Sequence, residues 1–240
     1  VFYYNKKMFD EAGIGYPDES WNWDTLLTAS KKLTKKDTTG KTVQFGFQVA
    51  TDLGWNLAAF IWGNGGRIGE ATPGETILSK ITLDEPASLE ALKFQYDLMW
   101  KYHVSPTPAQ LGNLKIARSF GNGLVQRATE SEANEWIVYR YTKHPQEAAN
   151  FVKFLVSPEI QKIIFEKETR IPSRVSLQKK MSELHPLKDR FNVQAIADLY
   201  PYARINPQFK QDAKVRELLG PVLEKIFLLN KLPLEEVIKD

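Results

Sequence analysis

The stretch from Thr51 to Gly66, T-D-L-G-W-N-L-A-A-F-I-W-G-N-G-G, holds the residue types best suited to recognising a ligand. Trp55 offers a flat apolar ring, and Asp52 and Asn56 place hydrogen-bonding groups beside it. A sugar needs that combination, because a pyranose has apolar C–H faces and a rim of hydroxyls. Leu57, Phe60 and Ile61 recur at offsets of three and four, so the spacing predicts a short helix with its apolar side inward. Trp55 then falls in the first turn, where a side chain can project past the helix N-terminus. Large aromatics are also the usual material of a core. Both readings stand for Trp55, whereas Trp62, at the end of the apolar run, is expected to be core.

Other groupings fit reactive chemistry poorly. Gly63-Asn64-Gly65-Gly66-Arg67-Ile68-Gly69 has the glycine content of a phosphate loop, but it follows a helix and lacks the G-K-[ST] ending. Glu130, Glu132 and Glu135 would suit a glycosidase carboxylate pair only at separations of ~5 Å or ~6.5–9.5 Å, which spacing along a chain does not define. His103, His144 and His185 lie far apart, at helix ends or before proline, with no H-E-x-x-H pattern. Capping or exposure is expected of each, and no metal or cofactor is expected. No G-x-S-x-G nucleophile elbow occurs.

The 240 residues are enough for one large or two modest domains, and 42% apolar with 25% charged residues describes an ordinary globular chain. The net charge is +3, and the lysines are interspersed with glutamates beyond Lys31-Lys32 and Lys35-Lys36, so nucleic acid is not an expected partner. The absence of cysteine removes disulfides, thiolate metal sites and a cysteine nucleophile, and it fits an exported bacterial protein. No apolar run reaches the ~18 residues of a membrane span. Val1-Phe2-Tyr3-Tyr4 has neither an initiator Met nor a signal pattern and reads as the middle of a longer protein.

The elements that must position these residues follow in order. Val1 to Tyr4 reads as the end of a strand, and Asn5 caps a helix from Lys6 to Ala12 closed by Gly13. Asn22 caps a second helix, Trp23 to Lys36, with Leu26, Leu27, Ala29, Ser30 and Leu33 inward. Val43 to Phe47 alternates as a strand leading into the Trp55 segment, and Thr76 to Leu83 is another strand. Pro86 opens a helix to about Tyr102 with Leu89, Leu92, Tyr96 and Met99 buried, and Trp100 packing. Trp136 to Tyr141 alternates as a strand. Two helices follow, one with Ala148, Ala149, Val152, Phe154 and Leu155 inward, the next with Ile160, Ile163 and Ile164 inward. Helices are expected over 188–200, 211–229 and 233–239.

Taken together, Y-Y-N-K-K-M-F-D-E-A-G-I (Tyr3 to Ile14), W-N-W-D-T-L-L-T-A-S-K-K-L-T (Trp21 to Thr34), F-I-W-G-N-G-G (Phe60 to Gly66), A-S-L-E-A-L-K-F-Q-Y-D-L (Ala87 to Leu98) and the run from Lys143 to Lys162 form ordered blocks. With R-I-P-S-R (Arg170 to Arg174), they resemble the extracytoplasmic solute-binding proteins of bacterial ABC importers, in particular the sugar-binding group that includes maltose-binding protein. The resemblance implies an α/β, two-lobed periplasmic-binding-protein fold of type II, represented incompletely. Residues 1–133 and 175–240 would form one lobe and 134–174 a remnant of the other, with hinge crossings near 133–136 and 170–175. It implies a non-enzymatic monomer outside the cytoplasm (periplasmic, or a surface lipoprotein) that binds a sugar, an oligosaccharide in the narrower reading, and hands it to ABC permease subunits.

On the same resemblance Trp55 corresponds to an aromatic that stacks on sugar, with Asn56 and Asp52 beside it. Trp136 matches the tryptophan of the family's G-G-S-G-W-A-I. This chain carries Glu132-Ala133-Asn134-Glu135 in place of the small residues, which adds Asn134 and Glu135 as polar contacts. Thr169 and Arg170 lie where the second crossing nears the cleft, with a hinge role equally open. The family's first hundred or so residues have no counterpart before Val1, and Pro106 to Thr129 is short, so joins are expected near Gly112–Leu114 and Phe120–Gly121. Binding of glycerol-3-phosphate or another anion, with Arg67, Arg170 and Arg204 as candidates, and glycoside hydrolysis remain the alternatives.

Overall fold

The computed structural model describes residues 4–49, 55–75, 77–107, 109–110, 115–116, 129–131, 135–168, 170–186, 188, 193–194, 198, 200–205, 208–228 and 230. The expected joins near 112–114 and 120–121 lie outside the described residues, as do the helix over 233–239 and most of that over 188–200. The chain divides into two compact units, 1–131 with 202–240 and 132–201.

In the first unit, Asn5 caps helix α1 (Lys6–Glu11) and accepts from the Met8 N–H at 3.3 Å, and Gly13 (φ 62°) ends the turn after it. Asn22 caps α2 (Trp23–Leu33) reciprocally: the Thr25 N–H donates to Asn22 Oδ1 at 3.0 Å, and the Asn22 N–H donates to Thr25 Oγ1 at 2.6 Å. Helix α2 stops at Leu33, short of the expected Lys36. Thr34 turns to extended backbone, its N–H and its hydroxyl both donate to the Ser30 carbonyl, at 3.0 and 2.8 Å, and β1 (Lys35–Lys36) pairs antiparallel with β2 (Thr42–Phe45). The turn between them is built on Asp37, whose carboxylate accepts from the Thr39 N–H and hydroxyl and from the Lys41 N–H. These bonds, the Thr39 hydroxyl first, hold the Asp37 carboxyl below its ordinary range. Strand β2 also pairs in parallel with β5 (Lys115–Ile116).

The centre of this unit is α3 (Trp55–Gly63), whose residues Leu57 to Trp62 are all buried. A helix that is apolar all round belongs inside a fold. It packs on α4 (Pro86–Trp100), which starts with Pro86 at its first position and buries Ser88, Ala91, Leu92, Gln95, Leu98 and Met99. Leu89 and Tyr96, expected inward, are half-buried. The buried stripe runs through Ser88 instead because its hydroxyl donates to the Arg67 carbonyl at 2.8 Å and accepts the Arg67 N–H at 3.1 Å. Trp100 packs as expected, with Nε1 donating to the Phe227 carbonyl at 3.1 Å. Strands β3 (Gly69–Ala71) and β4 (Leu78–Ile81) make a hairpin, and β6 (Thr129–Ser131) pairs in parallel with β7 (Ala203–Ile205). Helix α9 (Asp212–Leu223) ends in a π turn, Glu224–Leu228, that drives Ile226 and Phe227 into the core.

The second unit contains α5 (Pro145–Leu155), α6 (Pro158–Glu168), α7 (Val175–Gln178) and α8 (Met181–Leu184). Its small core joins Phe165, Met181 and Val193, with Leu184 against them and His185 edge-on to the Phe165 ring. His185 is therefore buried rather than exposed, although it does follow a helix end. Residues 175–201, grouped with 1–133 by the resemblance, cluster here because α8 packs on α6. The expected strand over 136–141 does not form: the segment has no strand backbone, the Thr142 N–H turns back to the Tyr139 carbonyl at 3.1 Å, and Ile137 is 81% exposed. An apolar strand needs a sheet to bind its N–H and C=O groups, and no described strand lies beside it. Phe154 and Ile163, expected inward, are likewise exposed, while Phe165 takes the inward place.

Gly46 is where α2 and β2 come closest. A Cβ there would lie 2.0 Å from the Ser30 carbonyl oxygen, which is backbone and cannot yield. Gly46→Ala is expected to destabilise the chain by at least about 1–3 kcal/mol in urea unfolding, with no comparable loss for Gly15→Ala, where a Cβ meets nothing within 4 Å.

Candidate functional site

Trp55 and Asn56 open α3, as the spacing predicted, and belong to the first unit. Their side chains, with Asp52 and Asn134, lie outside the described residues. Glu135 and Trp136 are exposed in the second unit, Trp136 at 56%. Arg170 is also exposed there, at the head of a segment pinned to α6. Gln161 donates to Ser173 Oγ at 2.7 Å and accepts the Arg174 N–H at 3.2 Å, and the Arg174 guanidinium donates to the Val156 carbonyl at 2.7 Å.

The glycine-rich stop after α3 is a helix cap. The Asn64 N–H donates to the Phe60 carbonyl, Gly65 (φ 77°) to Trp62 and Gly66 to Ile61, so these amides serve the helix end and not a phosphate. Asn64 Nδ2 donates to the Ala87 carbonyl at 2.9 Å and fixes this cap on α4. Trp62 is 5% exposed, a core residue as expected.

Of the three arginines considered for an anionic ligand, Arg67 and Arg204 belong to the first unit and Arg170 to the second. Arg67 is bound by Glu70 at 2.6 Å and Glu85 at 2.9 Å. Arg204, on β7, holds its guanidinium 5.7 Å from the Trp62 ring centroid, and its register partner on β6 is Glu130. Nothing in the local sequence signals this meeting of α3, β6 and β7, because the pairing joins distant parts of the chain. Just after β7, residues 208–210 add to the β3–β4 hairpin: the Leu78 N–H donates to the Gln208 carbonyl at 2.8 Å, and the Lys210 N–H to the Leu78 carbonyl at 3.1 Å. Lys210 also pairs with Glu75 at 2.8 Å. That ammonium holds the Glu75 carboxyl below its ordinary range. Among the described residues no group of three His, Cys, Asp or Glu could hold a metal, and no helix is long and apolar enough to cross a membrane.

The sequence profile of the family described as Bacterial extracellular solute-binding protein matches residues 1–162, and the chain belongs to that family. Solved structures give the same fold. An ABC substrate-binding protein from Listeria monocytogenes in complex with cycloalternan is 21% identical with a TM-score of 0.77, covering 98% of this chain and 66% of that one. Maltose-bound MalE3 from T. maritima is 18% identical with a TM-score of 0.70, covering 99% and 67%. UgpB from Mycobacterium tuberculosis in complex with glycerophosphocholine is 16% identical with a TM-score of 0.72, covering 99% and 65%. The fold class is thus the α/β, two-lobed periplasmic-binding-protein class, and this chain spans about two thirds of such a protein.

A group whose folded-state pKa is lowered stabilises the fold above its unfolded pKa and loses that contribution as pH falls through the folded value. The Glu75 carboxyl is expected to titrate by NMR below the ordinary ~4.3 of a glutamate and to return to it in Lys210→Ala.

Proposed function

We propose that this chain is the larger part of an extracytoplasmic protein that captures a sugar, an oligosaccharide in the narrower reading, and delivers it to an ABC permease without altering it. The observation that carries this reading is Trp55 at the head of a helix locked into the core of the first unit, in a chain of the solute-binding family. An indole at that position would offer an apolar surface to a sugar face. Asp52 and Asn56, with Asn134, Glu135, Trp136 and Arg170 from the second unit, would supply the hydroxyl contacts and further stacking. The first unit would form most of one lobe, and residues 134–174 would belong to the other. The protein acts as a monomer, and the neighbours bound to cycloalternan and maltose support a carbohydrate ligand.

A second reading, glycerol-3-phosphate or another anionic solute, is favoured by Arg204 on the Trp62 ring, and a neighbour bound to the phosphate-bearing glycerophosphocholine supports it. Its guanidinium is presented by a strand and an aromatic face, a geometry that suits bidentate phosphate contact.

Calorimetric titration against mono- and oligosaccharides and glycerophosphocholine, with reducing-end release followed in parallel, separates these readings from hydrolysis. Heat without release of reducing ends is expected. Micromolar binding corresponds to about 8 kcal/mol, and Trp55→Ala should remove about 1–3 kcal/mol of it. Arg204→Ala should weaken glycerophosphocholine alone. An unchanged sugar affinity in Trp55→Ala would remove position 55 from the site.

A further inference from the structure

Lysines gather where α2 ends. Residues 31–41, K-K-L-T-K-K-D-T-T-G-K, hold five lysines and one aspartate, a net +4 in a chain whose total is +3. The rest of the chain is therefore slightly acidic, and the positive charge is concentrated here. All five lysines are exposed. The segment that carries them is fastened to its surroundings. Gln44 Nε2 donates to the Leu33 carbonyl at 2.6 Å and the Gly46 N–H to Thr34 Oγ1 at 3.0 Å, which ties β2 to the end of α2. The Asp37 N–H donates to the Lys41 carbonyl at 2.9 Å, closing the turn between Lys36 and Lys41.

The end of α4 adds to this face. Tyr102 has the Lys31 ammonium 4.6 Å and the Lys101 ammonium 5.2 Å from its ring centroid. The acids nearby do not neutralise the cluster. Glu11 is shared by Lys7 and Lys35, at 3.9 and 3.6 Å, and Asp97 by Lys93 and Lys101, at 3.2 and 3.8 Å. The Asp37 carboxylate is taken up by its own turn. No described carboxylate pairs with Lys31, Lys32, Lys36 or Lys41. Local structure accounts for part of this, since cations suit the last turn of α2 and charged side chains guard the edge strand β1. Neither reason reaches Lys41, and neither requires one sign of charge to collect across two helix ends and a hairpin.

We propose that this face docks on an anionic lipid surface, its ammoniums lying against headgroup phosphates. The proposal is independent of the solute assignment. Residue type favours lipid over an acidic protein. Interfaces between proteins are enriched in aromatic residues, Met and Arg and depleted in Lys, whereas the cations here are all lysines around one half-buried tyrosine. A lysine is a compact charge on a flexible stem, which suits a fluid array of phosphates, while the planar fork of arginine suits a fixed carboxylate. Each lysine near an anionic bilayer strengthens binding about fivefold.

Co-sedimentation of the whole chain tests this with vesicles of phosphatidylcholine alone or with about 30% phosphatidylglycerol, at about 0.05 and 0.5 M NaCl. Binding is expected to the anionic vesicles alone, and at the lower salt. The triple variant Lys32→Gln, Lys36→Gln, Lys41→Gln should weaken it on the order of a hundredfold. The charge-preserving Lys32→Arg, Lys36→Arg, Lys41→Arg should keep it. Lys143→Gln, Lys153→Gln, Lys179→Gln, which removes the same charge from the second unit, should change it by less than about fivefold. The proposal is overturned if the parent ignores anionic vesicles at low salt or binds both kinds equally. It is also overturned if the first glutamine triple binds like the parent, or if the two glutamine triples lose binding equally. Soluble polyglutamate stands in for an acidic protein: binding to it without binding to vesicles assigns the face to a polypeptide partner and removes the lipid assignment.

Discussion

The first unit depends on burying α3 completely. Leu57 to Trp62 present no face to solvent, so every neighbouring element must supply a surface for them. Helix α4 packs on α3, and the small Ser88 lets the cap at Gly66 come close. The aromatic layer Trp23, Phe60 and Phe94 closes another side, with Trp23 and Phe94 stacked at 4.5 Å. The π turn after α9 brings in Ile226 and Phe227, and Arg204 covers the Trp62 ring. Apolar burial of this extent leaves the helix no alternative position, since interiors are packed at near-crystal density.

Among the described residues of the second unit there is no comparable centre. Its core is Phe165, Met181 and Val193, while α5 is amphipathic and buries nothing. Trp136, Ile137, Tyr139 and Tyr141 stand exposed, and so do Phe151 and Phe154 on α5. The chain spans about two thirds of the proteins it matches.

Much of the architecture was legible in local chemistry. Asn5 with Gly13, Asn22 with Thr25, and Glu85-Pro86 mark helix ends that the structure places within a residue or two, because capping is decided by a few neighbouring side chains. Trp55 at the start of α3 was legible in the same way. Large apolar residues alone misjudged the inner face of α4, where the Ser88 hydroxyl finds its partner only across the fold. They misjudged 136–141 too, because alternation shows which side chains want a sheet and not whether one is there.

From its order of residues alone, this chain determines helix ends, the apolar run of α3, the family blocks, and the indole and polar groups that suit a sugar. Those are properties of short segments, readable wherever the governing contacts lie within a few residues. Tertiary structure decided the rest: the Arg204–Trp62 meeting, the addition of 208–210 to the β3–β4 hairpin, and the Ser105 hydroxyl beneath Val49. Each joins groups far apart in the chain, and no local propensity encodes a partner that arrives only when the core closes.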